Sequence, residues 1–270
     1  MRFGATKRPR FSTSRQKRDS TAALYKETLA VPDRPMSGRE LILAVEDLYN
    51  RLSSRHLQQN QFWRALVEHP ETVPDSVYFG MCIENYHLLF RESYFDSPVL
   101  SFAPSRAVRH IINAFYCEEL GHDRLLLQSL ESIGLTEAEL FQSIPLQQTM
   151  ALCNALSYWA RHDPLFFFTT LGPLEGRDVE IDSYVTAMRQ KGLPEAFIGP
   201  IYTHANINKN SEHGLLTREI FEQLPVVASE DAARIMQQTV LFIAIYNQFY
   251  SGIWEYYAHC ESLLRKISDI

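Results

Sequence analysis

Glu119 and His122, in the stretch YCEELGHDRLLL (residues 116–127), stand three residues apart among aromatic and leucine side chains. On a helix that spacing puts a carboxylate and an imidazole on one side, about a turn from each other, beside the apolar Phe115 and Leu126. Taken alone, such a couple is more often a structural hydrogen-bonded pair than a ligand set. The same anomaly recurs, however. Glu84 lies on the apolar line Val77, Met81, Leu88, while Glu175 follows the apolar run in FFFTTLGPLEGR. His213 lies in NINKNSEHG, with Asn210 three residues before it. Four long predicted helices thus each present polar atoms at an inward position: Glu, Glu-x-x-His, Glu and Asn-x-x-His.

Carboxylate-bridged di-iron and di-manganese bundles use nearly this inventory, with one Glu from each of two helices and Glu-x-x-His from the other two. Bridging carboxylates hold two divalent ions close while cancelling their charge, imidazoles complete the coordination, and open positions remain for dioxygen. Several carboxylates buried together without cations would be strongly unfavourable, so the cluster implies metal or shared protons. Asn210 departs from the pattern. Its carbonyl oxygen can coordinate but brings no negative charge, so the second metal position is expected to be the weaker.

The elements that must position these residues read as helices throughout. SGRE at 37–40 has the form of a capping box, and helical spacing follows in LILAVEDLYNRL and again in HLQQNQFWRALVEHP up to Pro70. An Asp cap after Pro74 opens the segment containing Glu84. A long helix is expected from about 104 to Gly134, whose glycine supplies a left-handed stop, and TEAE at 136–139 opens a short one. Further helices are expected over 145–162, 164–191 and 194–224, with proline near each start, and a last one capped by Ser229 runs to about 266. No two-residue alternation, hairpin turn or internal repeat is visible. The fold class is therefore all-α, a bundle of seven to eight helices.

Composition restricts the function classes. A chain of 270 residues, 46% apolar and 21% charged, suits one globular domain with a buried core. Seven of the 26 basic residues and one of the 32 acidic residues fall in positions 1–20, leaving 19 basic and 31 acidic residues beyond them, a charge of −12. That acidic body argues against nucleic acid on the folded domain. Residues 1–36 read as a disordered basic leader and 37–270 as the domain. The apolar run VLFIAIY stops at seven residues, so no membrane span is expected. Four widely separated cysteines in helical, apolar contexts read as reduced, buried thiols of a cytoplasmic protein.

From about residue 55 onward the sequence resembles the heme-oxygenase-like superfamily that includes the thiaminase-II and pyrroloquinoline-quinone-synthase-type proteins. Within it, the likeness is greatest to the di-metal oxidases and oxygenases. It rests on HLQQNQFWRALVEHPETVPDSVYFGMCIENYHLLF, EELGHDRLLLQSLESIGL, LGPLEG and THANINKNSEHG. The resemblance implies a heme-oxygenase-like bundle with Glu84, Glu119, His122, Glu175 and His213 at metal-ligand positions. The last ligand helix of that family usually carries a His, an Asp four residues later and a His three further on. Counted back from His213, those places hold Asn206 and Asn210, so two expected ligands are missing. His204 does not easily substitute, because nine residues of regular helix put it half a turn out of phase with His213 unless a bulge re-aims it.

The expected cofactor is iron, two ions with the second weak, or manganese in place of iron. Expected partners are a small organic substrate and dioxygen, with a homodimer left open. Members of this superfamily do varied oxidative chemistry on one scaffold, so the fold does not choose the reaction. Tyr246, Tyr250 and Trp254 recur along one stretch of the last helix, a pattern more often core packing than a substrate wall, but the resemblance places that helix beside the cavity. Two alternatives stand beside the oxidase: a metal-free enzyme of the thiaminase or quinone-synthase kind, and a non-catalytic binding protein with a decayed site. Heme itself is disfavoured, since a carboxylate-rich interior suits hard cations better.

Overall fold

Local hydrogen bonding sets where the helices begin. Ser37 and Glu40 close the expected capping box, Glu40 N–H donating to Ser37 Oγ at 3.2 Å and Ser37 N–H to Glu40 Oε2 at 2.9 Å. They open α1 (Gly38–Gln59), which is followed by α2 (Gln61–Glu68) and a single 3-10 turn at 70–72. Just before α1, Met36 pairs with Val227 through two backbone hydrogen bonds of 3.0 and 2.7 Å. The structure, a computed structural model, describes residues 32–102, 105–175, 178–210 and 213–266. Side chains at 56–58, 178–182, 208–210 and 213–214 are also outside the description. The expected leader falls almost wholly on residues that are not described.

Next come α3 (Asp75–Leu89), the short α4 (Asp96–Val99), α5 (Arg106–Glu119), α6 (His122–Ser132) and α7 (Glu137–Gln142). The chain continues through α8 (Gln147–His162), α9 (Pro164–Leu174), α10 (Asp178–Lys191), α11 (Glu195–Asn210), α12 (His213–Glu222) and α13 (Ser229–Tyr257). The class is all-α, as expected, with more helices than expected. Two long expected segments are each divided, 104–134 at Leu120–Gly121 and 164–191 after Leu174, while α11 and α12 lie on either side of residues 211–212, which are not described. The last helix stops at Tyr257 rather than near 266. Asp75 and Ser229 are first helical residues rather than caps, with Pro74 and Ala228 in the cap positions.

Where the pattern was local, the expectation holds. Thr136 and Glu139 form a complete capping box, and Gly134 takes φ +89° just past α6, where Leu135 N–H donates to Leu130 O at 3.1 Å. Burial organises the rest. Every residue from Phe166 to Pro173 is buried, so α9 is a central helix that delivers Glu175 from its end into the interior. Helix α13 packs on α1, α3 and α8, and α11 packs along α6. No described helix is long and apolar enough to cross a membrane. Cys82 and Cys153 are buried, whereas Cys117 is exposed and Cys260 half-buried; all four are free thiols.

Candidate metal centre

The Glu-x-x-His motif does not sit within one helix. Glu119 ends α5, Leu120 leaves the helical conformation with ψ 111°, Gly121 takes φ +94°, and His122 begins α6. A Cβ on Gly121 would meet nothing within 4 Å, so the backbone conformation rather than crowding calls for glycine. The break keeps the two side chains together. Nδ1 of His122 lies 2.7 Å from Oε2 of Glu119, and both residues are buried.

A third member comes from α11. The His204 ring stands 4.8 Å from the His122 ring at an interplanar angle of 87°, and one ligand atom from each of Glu119, His122 and His204 lies within 4.8 Å of the other two. The sequence reading set His204 aside on the assumption of one regular helix over 194–224. That phase runs through residues 211–212, which lie outside the described residues. The contact between α11 and α6 decides the position instead. Counted forward from His204, the family's Asp and second His places hold Asn208 and Ser211, so neither register supplies them. Asn206 is half-buried, two residues and about 200° around α11 from His204, and does not join the group. The side chains of Asn210 and His213 lie outside the described residues.

The structure does not bring Glu84 into this group. Its Oε2 accepts from Leu146 N–H at 3.0 Å and from the Thr149 hydroxyl, and its Oε1 accepts from the Tyr257 hydroxyl at 2.8 Å. Burial pushes its pKa up, and these donors hold the rise in check. Its carboxylate ties α3 to the start of α8 and the end of α13.

Glu175, the first residue beyond α9, is half-buried on the wall of an internal cavity of about 140 Å³. Two more acids gather nearby that the sequence reading did not single out. Burial first, then the charges of Glu175 and Glu119, push the carboxyl of Asp96 well above its usual range. Glu92 is pushed up to about 9 by burial and then by Asp96, Glu119 and Glu175. An acid ahead of Ser-Pro, as in FDSP, reads as a solvent-facing turn, so nothing local signals that Asp96 is only 5% exposed.

The cavity borders the group through His204, and Tyr246 and Tyr250 line it as well; Trp254, half-buried, does not. Elsewhere, His87 is a satisfied core residue, 2.9 Å from Ser143 Oγ, and His110, His162, His259 and Glu118 are on the surface. Two imidazoles and a carboxylate with space alongside form a mixed nitrogen and oxygen donor set that suits iron(II). A cation there would also relieve the mutual repulsion of Glu92, Asp96, Glu119 and Glu175.

Fold and donor set together define a helical bundle with a buried candidate iron site. The chain belongs to the family of iron-containing redox enzymes, whose sequence profile matches residues 83–247. No curated protein matches it. Among solved structures, it is similar to a domain of unknown function with a heme oxygenase-like fold from Shewanella denitrificans, at 16% identity and TM-score 0.63 over 82% of this chain and 93% of that one. It is also similar to a TenA family transcription regulator from Silicibacter, at 13% identity and TM-score 0.54 over 77% of this chain and 99% of that one. The fold is therefore heme-oxygenase-like.

Proposed function

We propose that this protein is a non-heme iron oxidase or oxygenase that uses dioxygen to oxidise a small organic substrate, in natural-product or cofactor biosynthesis. The observation that carries the reading is the convergence of Glu119, His122 and His204 beside an apolar cavity. Those three residues would hold one ion firmly, and Glu175 with the neighbouring acids would hold a second more weakly, with iron preferred to manganese. Bound iron supplies electrons to dioxygen and so the oxidising power. The chain's own contribution is positional. Helix α9 brings Glu175 to the cavity, the Gly121 break aims His122, and the apolar wall excludes water from the reacting part of the substrate.

Protein produced with ample iron should retain one to two ions per chain and consume oxygen when presented with its substrate. His204→Ala and Glu119→Ala should abolish both. Full iron content and turnover in those variants would overturn the proposal. A second reading, a metal-free enzyme, draws on the raised carboxyls of Glu92 and Asp96, since shared protons can replace cations in such a cluster. Turnover that survives complete chelation would favour it.

A further inference from the structure

Helix α3 turns one face to the internal cavity. Met81, Cys82, Asn85, Leu88 and Leu89 all line it, and on a regular helix these five positions span about 120°, with Asn85 at the centre. Glu84 and Tyr86, on either side of that face, are buried and do not line the cavity. Asn85 is half-buried, so the middle of the α3 wall is an amide among apolar and sulfur-bearing side chains. Leucine would suit the position better on both local counts, since asparagine is a poorer helix former and an amide gains nothing from an apolar wall. Its presence calls for an explanation.

Half of the amide is spoken for. Nδ2 of Asn85 donates to Met81 O, one turn back, at 2.8 Å. The flipped amide would set two acceptors against each other, so Oδ1 is the atom left over. Oδ1 accepts from none of the described residues, and, unlike the indole N–H of Trp63, it is not among the fully buried atoms. A ligand in the cavity can therefore reach it.

Other polar groups on the wall are turned away or engaged. The Tyr184 hydroxyl donates to Tyr78 O at 2.7 Å and the Cys82 thiol to Leu126 O at 3.7 Å. Glu175 and His204, in the reading given above, serve the cation. Asn85 Oδ1 remains as a neutral acceptor, and the bond to Met81 O holds its amide in one orientation, so little ordering is needed when a ligand arrives. A few placed polar groups on an otherwise apolar wall are what orient a small molecule in such a space.

We infer that the cavity takes a substrate with an apolar frame and a neutral hydroxyl, and that Asn85 Oδ1 accepts a hydrogen bond from that hydroxyl. The inference rests on the reading that this cavity serves the metal centre. It adds the substrate class and a specificity-determining residue on α3, a helix that supplies none of the three converging ligand residues.

The test compares two isomers, 1-hexanol and 1-methoxypentane, which share size and an ether or hydroxyl oxygen but differ in having a donor. Binding to the purified full chain is measured by calorimetry under anaerobic conditions with iron(II) supplied, and iron content is determined on the same samples. Wild-type protein should bind the alcohol about three- to tenfold more tightly than the ether, the range of one neutral hydrogen bond. Asn85→Leu, which keeps the bulk and removes the acceptor, should bring that ratio close to one while leaving ether affinity within about twofold. Asn85→Ala, the change a helix tolerates best, should do the same to the ratio and serves if the leucine variant does not fold. A purely structural role for Asn85 would weaken both ligands together and preserve the ratio. The inference is overturned by a wild-type ratio near one, by an unchanged ratio in either folded variant, or by no binding of either probe. Iron retained without alcohol selection sinks this inference alone, whereas alcohol selection that depends on Asn85 in a protein that holds no iron sinks the oxidase reading alone.

Discussion

Two buried acidic regions of this molecule look alike in sequence and differ in chemistry. Around Glu84, three donors from α8 and α13 surround one carboxylate, so burial is matched by hydrogen bonds. Around Glu119, several carboxyls act on one another. Asp96 is buried against the charges of Glu175 and Glu119, and Glu92 feels all three. The first arrangement is complete as it stands, while the second is one that a cation or protons must balance. An inward-facing glutamate is therefore not in itself a sign of a site. What counts is whether its neighbours are donors or other acids.

The contrast breaks most visibly in metal content. His204→Ala or Glu119→Ala should weaken iron binding by at least about a hundredfold, while Glu84→Gln should leave it nearly unchanged, as read by metal analysis after dialysis. Equal losses in all three variants would merge the two regions into one site. Stability should show the reverse. Glu84→Ala leaves the Leu146 N–H and the Thr149 and Tyr257 hydroxyls without their acceptor, and should cost about 3 kcal/mol in urea unfolding, against about 1 kcal/mol for Tyr257→Phe.

Gly121→Ala should cost about 1–2 kcal/mol, because φ +94° is strained for any residue with a Cβ. It should also lower iron affinity, since the break aims His122. Asp96→Asn should do the opposite in the metal-free protein, stabilising it by up to about 1 kcal/mol by removing a carboxyl whose ionised form is opposed by burial and by Glu175 and Glu119.

The pH dependence separates the regions more gently. Folded Glu92 holds its proton up to about 9, whereas the unfolded side chain releases it near 4.5, so stability falls as pH rises through that window. His87, pushed down to about 4 by burial and then by the Arg91 charge, acts on the other side. As pH drops from 6.5 towards 4, the unfolded imidazole takes up a proton before the folded one, and stability falls again. The melting temperature of metal-free protein should therefore peak between the two limbs. Added iron(II) or manganese(II) should flatten the upper limb, and a flat profile without metal would remove the distinction between the regions.

Part of the site was legible because its determinants are local. Glu119 and His122 stay adjacent through the break, although the sequence reads as one helix over 104–134 and the glycine in EELGH is its local sign of the division. His204 was missed because its position depends on which helix α11 packs against. Glu92 and Asp96 were missed because the helical pattern that opens at Asp75 reads on through Phe95, whereas the helix ends at Leu89 and the packing of α4 buries Asp96.

By itself the sequence determined the all-helical class, the capping boxes at Ser37 and Thr136, the stop at Gly134 and the pairing of Glu119 with His122. Each rests on hydrogen bonds and backbone sterics acting across a few residues. Tertiary structure alone decided that His204 completes the group, that Glu84 is already surrounded by donors, and that acids from a short link face Glu175. Those outcomes depend on which helix lies beside which, a choice made by burial summed over the whole chain rather than by any stretch of it.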